Sequence, residues 1–133
     1  MSLYRHVKTL LHVSDDLDES QTGKTYSVLP SDGDSTSDRS QQWRVFFDLY
    51  QDGGSTSPTT DAYLQTSHNG TDWIIAAQAT QLTADGEIHE FKDVEALGPY
   101  VRAVTVLGGS TTPSHNAVIR LASNGPFRLL ARG

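Results

Sequence analysis

There is no cysteine among the 133 residues, so disulfides and thiolate-bound metals are excluded. Stability must come from packing or from assembly with other subunits. Helical periodicity is nearly absent too. No dozen-residue segment keeps an apolar i, i+3, i+4, i+7 stripe free of Gly, Pro or a β-branched run. No stretch approaches the roughly 18 apolar residues of a membrane span. Residues 1–13 lack the long apolar run and small-residue cleavage site of a signal peptide, since His12 and Ser14 interrupt the Leu10-Leu11 patch. The expectation is a soluble protein made in the cytoplasm, with no membrane partner. Positive charge is also scarce: 10 Lys and Arg stand against 16 Asp and Glu, a net charge of −6. That balance argues against nucleic acid as the main partner.

What the sequence does contain is alternation. Short runs with apolar residues at every second position recur between turn residues. Tyr4 to Val13 places Val7, Leu11 and Val13 on one parity, and Thr25 to Leu29 stops at Pro30. Gln42 to Tyr50 is the strongest run, with Trp43, Val45, Phe47 and Leu49 on one face. Ala62 to Thr66 and Trp73 to Thr80 flank Asn69-Gly70, the favoured pair for a two-residue hairpin. Glu87 to Val94, Tyr100 to Leu107, Ala117 to Ala122 and Phe127 to Ala131 complete the series. The expected fold class is all-β: an antiparallel β-sandwich of eight or nine strands, with a jelly roll the favoured topology. One domain is expected over 1–133, with 1–24 as an N-terminal strand and arm and 31–41 as a flexible acidic loop.

Two features point to contacts between molecules. Gly53-Gly54-Ser55-Thr56-Ser57-Pro58 is echoed by Gly108-Gly109-Ser110-Thr111-Thr112-Pro113. Each copy follows a strong strand and precedes another, so the pair reads as twin hairpin tips, candidate interface loops at one end of the domain. Charge is also divided. Seven acids, among them Asp15, Asp16 and Asp18, lie between Asp15 and Asp38 against the single base Lys24. From Ala96 onward there are Arg102, Arg120, Arg128 and Arg132 and no acid. Such a division can steer one copy onto another, acidic region to basic region.

Residue types for chemistry are present, but not in catalytic patterns. His6, His12, His68, His89 and His115 form no HExxH motif and read as surface or strand-edge side chains. There is no GxSxG elbow and no phosphate-binding glycine motif. Glu87, Glu90, Asp93 and Glu95 read as charge on the solvent face of an edge strand rather than as a carboxylate pair. Asp32, Asp34 and Asp38 could wrap calcium, but no glutamate closes the loop, so a solvated acidic loop is preferred and no cofactor is expected. No enzymatic activity is expected. Trp43, Phe47 and Trp73 are assigned to the core. Phe46, Tyr50, Tyr63 and Tyr100 are assigned to outer sheet faces, where Phe46, Tyr50 and Tyr63 could stack against a sugar. The alternative function is therefore a carbohydrate-binding β-sandwich module for host-surface or polysaccharide adhesion, with a glycan as partner.

Segments within residues 42–122 resemble a family. Ala62-Tyr63-Leu64-Gln65-Thr66-Ser67-His68-Asn69-Gly70-Thr71-Asp72-Trp73 is similar to a strand–turn–strand motif of many small β-sandwiches. Its hairpin also occurs in discoidin-like sugar- or lipid-binding modules. Pro99-Tyr100-Val101-Arg102 followed by Gly108-Gly109-Ser110-Thr111-Thr112-Pro113 resembles a stretch of small tailed-bacteriophage virion structural proteins. That resemblance implies a jelly-roll or β-sandwich viral protein of the decoration or head-associated type. It implies a subunit that binds and cements the assembled phage head, and a virion location after assembly in the host cytoplasm. The implied partners are the major capsid protein and the chain itself, as a symmetric oligomer with a trimer favoured. The acidic loop from Asp32 to Asp38 departs from that pattern.

Overall fold

Period-two alternation buries one face of a strand and exposes the other. Between Trp43 and Asp52 this holds throughout: Val45, Phe47, Leu49 and Gln51 are buried, while Phe46, Asp48 and Tyr50 point away from the core. The computed structural model describes residues 3–30, 41–52, 56–109 and 112–132, with only the backbone described at Asp15 and Pro30. Among these are ten strands: β1 (His6–Leu17), β2 (Gln21–Thr22), β3 (Thr25–Pro30), β4 (Trp43–Asp52), β5 (Thr59–Ser67), β6 (Ile74–Gln78), β7 (Gly86–Val94), β8 (Tyr100–Gly108), β9 (Ser114–Ser123) and β10 (Phe127–Arg132). One sheet has the order β1-β9-β4-β7, and the other β10-β3-β8-β5-β6 with β2 also on β8. All pairings are antiparallel.

The chain path is a long hairpin rolled up on itself. Its tip is the pair β5–β6; going outward, β4 pairs β7, β3 pairs β8 and β1 pairs β9. Successive pairs fall in alternate sheets. That connectivity is the jelly roll, with β2 and β10 added to its eight strands. The sequence expectation of eight or nine strands fell short because β2 is two residues long and carries no alternation.

The sheets close over Val45, Phe47, Leu49, Ala117, Ile119 and Leu121 from one side and Ala62, Leu64, Val101 and Ala103 from the other. Trp43 and Phe127 seal one end edge to face, with centroids 4.9 Å apart. Trp73 corrects an expectation. It is not part of this core but lies on the outer face of the second sheet, where Arg102 stands 4.2 Å over its ring. β1 also departs from simple alternation. A bulge between Thr9 and Leu11 turns Leu10 inward, to 3% exposure, and leaves Val7 43% exposed. The same bulge puts His6 opposite Ser123 and His12 opposite Val118, so the two histidines face opposite ways.

The echoed Gly/Ser/Thr/Pro segments are not hairpin tips. β4 and β5 lie in different sheets, as do β8 and β9, so both segments are crossovers from one sheet to the other. The Asn69-Gly70 turn is wider than the two-residue hairpin expected. β5 ends at Ser67 and β6 begins at Ile74. Gly70 has φ 79°, while Asn69 is not among the positive-φ residues. The Asn69 side chain instead accepts hydrogen bonds from the backbone N–H of Thr71 and Asp72, at 2.9 and 2.8 Å, which is Asx-turn chemistry.

Candidate functional site

Two surfaces gather the side chains singled out by the sequence. The first is one end of the sandwich. Asp52 of β4 lies opposite Ser114 of β9, and Thr59 of β5 opposite Gly108 of β8. These pairings set the strand ends that flank the two echoed crossovers side by side. Their described residues include Thr56, Pro58, Gly108, Gly109 and Pro113, while Gly53, Gly54, Ser55, Ser110 and Thr111 lie outside the described residues. Pro113 is buried and Thr56 exposed. The end of β1 joins them: Thr112 Oγ1 donates to the Asp18 carbonyl at 3.0 Å, and Asn116 Nδ2 to Asp16 Oδ1 at 2.7 Å. Asp16, Asp18, Glu19, Asp52 and Asp85 are all exposed here, so this end is acidic. Asp32, Asp34 and Asp38, the residues considered for calcium, lie outside the described residues, and so does the side chain of Asp15.

Beneath this end lies a buried polar layer that joins the sheets. Gln51, Thr60, Thr105 and His115 each have 0% exposure. Thr60 donates its hydroxyl to Gln51 Oε1. His115 Nε2 meets Thr105 Oγ1 at 2.9 Å, and Nδ1 meets the Leu17 carbonyl at 2.8 Å. The histidine thus fastens the end of β1 to the core. Burial pushes its pKa down, and the Leu17 carbonyl opposes that in part. His115 was expected at the surface. Its place was legible, because it shares the parity of Ala117, Ile119 and Leu121.

The second surface is the outer face of the β1-β9-β4-β7 sheet. Register sets Arg44 opposite Asp93, Phe46 opposite Phe91, Asp48 opposite His89 and Tyr50 opposite Glu87. From the other side Arg120 flanks Phe46, Val118 flanks Asp48, and Asn116 flanks Tyr50. Arg44 lies between two rings, 4.2 Å from Tyr4 and 3.9 Å from Phe91, and its Nε donates to Asp93 at 2.6 Å. His89 Nδ1 donates to Asp48 Oδ1 at 2.7 Å, and Arg120 Nη1 approaches Asp48 Oδ2 at 3.3 Å. The hydrogen bond to Asp48 raises the His89 pKa, and the Asp48 and Glu87 charges add to it.

Tyr63 lies on the other side of the molecule, on the outer face of the second sheet opposite Val104. Burial and then the Asp61 carboxylate raise its phenol pKa. Phe46, Tyr50 and Tyr63 therefore cannot form one platform; Phe91, which sequence reasoning missed, takes the third place. Glu90 also departs from the expected solvent face, accepting from the backbone and hydroxyl of Thr80. Of the four C-terminal arginines, Arg120 pairs within its own chain and Arg102 both covers Trp73 and donates to Gln65 at 2.7 Å. Arg132 stands 5.9 Å from the Tyr100 ring centroid, and Arg128 is exposed on β10. Among the described residues no three His, Asp or Glu side chains converge as metal ligands. No protein-family model matches the chain, and no curated protein matches it either.

Proposed function

We propose that this chain is a non-enzymatic virion structural subunit, a head-decoration or cementing protein that docks on the assembled shell of a tailed phage. The observation that carries the reading is that the strand ends flanking the two Gly-Gly-Ser-Thr-x-Pro segments, Asp52 beside Ser114 and Thr59 beside Gly108, meet at one end of the jelly roll. The second of them belongs to the stretch that resembles virion proteins, which starts at Pro99 and runs through β8. A jelly roll offers a stiff body, and paired crossovers at one end offer a docking edge that a symmetric assembly can use repeatedly. The acids around this end suit a basic partner surface, either on the capsid protein or on an arginine-bearing face of another copy.

Purified protein should co-sediment with phage shells that lack it, and should form a symmetric oligomer, a trimer being favoured. Charge reversal at the docking end, Asp16→Lys with Asp18→Lys, should weaken shell binding at least tenfold. A monomer that leaves such shells unbound would overturn the reading.

A further inference from the structure

The outer face of the β1-β9-β4-β7 sheet is far from neutral decoration, and the docking end does not use it. Tyr50 is 40% exposed and Phe91 49% exposed. Both point away from the core on the same side of the sheet as Phe46, and Phe46 and Phe91 meet at 6.0 Å. We propose that this face binds a neutral polysaccharide chain, laid along β4 from Tyr50 to the Phe46–Phe91 pair.

Four observations select that ligand. Tyr50 and Phe46 are four residues apart on one strand, about 13 Å, too far for a single sugar to reach both. Between them stand Asp48 and His89, and Arg120, level with Phe46, reaches toward Asp48; these offer hydrogen-bond donors and acceptors to hydroxyls. Charges of both signs are paired on the face: Arg44 with Asp93, Arg120 with Asp48, and His89, when protonated, with Asp48 and Glu87. An anionic or cationic chain would gain little from such a surface, whereas an uncharged polyol uses both signs. The side chains are also held before any ligand arrives. Arg44 is clamped between Tyr4 and Phe91, and His89 and Arg120 both hold Asp48, so binding costs less conformational entropy.

A protein partner fits less well. Cores of protein interfaces are depleted of charged residues, and here the centre of the face is charged. A sugar chain has an apolar C–H side for the rings and hydroxyls for the groups between them. Two aromatic anchors with a polar strip between match that alternation.

The test is native gel electrophoresis through soluble neutral polysaccharides: hydroxyethylcellulose, xyloglucan, galactomannan, laminarin and dextran. At least one should retard the protein. Titration calorimetry with that polysaccharide should show at least tenfold weaker binding for Tyr50→Ala and for Phe91→Ala. Phe91→Leu keeps apolar bulk beside Arg44 but removes the ring, and should remain weak. Tyr63→Ala, on the opposite sheet, should bind as the parent does. Absence of retardation across the whole panel would overturn the proposal. So would a loss for Tyr63→Ala as large as that for Tyr50→Ala, or full binding by Phe91→Leu. Shell binding is a separate readout, so failure of one reading leaves the other measurable.

Discussion

His115 has both ring nitrogens engaged and no exposed surface. Nδ1 faces a carbonyl, which only accepts, so Nδ1 carries the hydrogen. Nε2 then accepts from the Thr105 hydroxyl, and that oxygen in turn accepts from the Gln21 backbone N–H at 3.2 Å. A second proton on the ring would place a charge where burial has stripped away water, and the Leu17 carbonyl offsets only part of that cost. The folded state therefore disfavours the charged form, and the pKa falls below its usual 6.5. The unfolded chain takes up the proton first. The stability contributed by neutral His115 is present above pH 6.5 and declines as the pH falls below it. His89 acts in the opposite sense. Its raised pKa gives a contribution present below pH 6.5 and lost as the pH rises through the raised value, small because the ring is exposed and screened. Urea unfolding between about pH 5 and pH 8 should show stability dropping at the acid end, and His115→Gln should flatten that drop. The same substitution should cost about 1–3 kcal/mol at neutral pH, by leaving Leu17 or Thr105 poorly partnered.

At the scale of elements, the clearest constraint lies where two connections touch. A Cβ at Gly98 would come within 2.5 Å of the Ser67 carbonyl oxygen, which is backbone and cannot swing aside. Gly98 N–H also donates to Thr66 Oγ1 at 2.8 Å, and that hydroxyl donates to the Tyr100 carbonyl at 2.8 Å. The β7–β8 connection is thereby pressed against the end of β5. Gly98→Ala should cost about 1–3 kcal/mol, the range for overpacking, read as a lower urea midpoint with an unchanged slope. In β4, β7 and β8 the elements were legible, because each keeps its period along the strand. β1 was less so. Its bulge inserts one residue, and Val7 and Leu10 exchange the places that strict alternation assigns them. Nothing local in Lys8-Thr9-Leu10-Leu11 marks that insertion; it follows from how β1 must lie along β9. The Asn69 turn was misread in length for a related reason. Asn-Gly signals a turn, but Ser67 and Asp72 add side-chain bonds that widen it.

Over the whole molecule, parity told which side chains turn inward but not which strands meet. Sandwich and jelly roll share the same strand spacing, and the echoed segments looked like hairpins because they join strands consecutive in sequence. Only the sheet order makes them crossovers. The candidate site was legible to the same degree. Tyr50 and Phe46 could be placed on one face by period alone, whereas Phe91 joins them through pairing with a strand some forty residues on, and Tyr63 leaves them because β5 belongs to the other sheet. Two phenylalanines measure the difference between the faces. Phe47 has 0% exposure and Phe91 49%. Phe47→Ala should cost about 3–5 kcal/mol, whereas Phe91→Ala should cost well under half of that, both read by chemical denaturation.

The rolled-up path also has a consequence in time. Asp16 at the end of β1 bonds to Asn116 of β9, a separation of 100 residues. β1 is thus synthesised long before its partner strand exists. Leu10 and Val13 must wait, unpaired and open to other chains, until most of the domain has emerged. The β5–β6 pair can form early, from neighbours in sequence, and each later pair closes a larger loop around it. Pairing so non-local belongs to the slow end of folding, milliseconds to seconds. β1 is thus secured late, with only β10 to follow on the other sheet, and the acidic end, which needs the close of β1 against His115, matures with it.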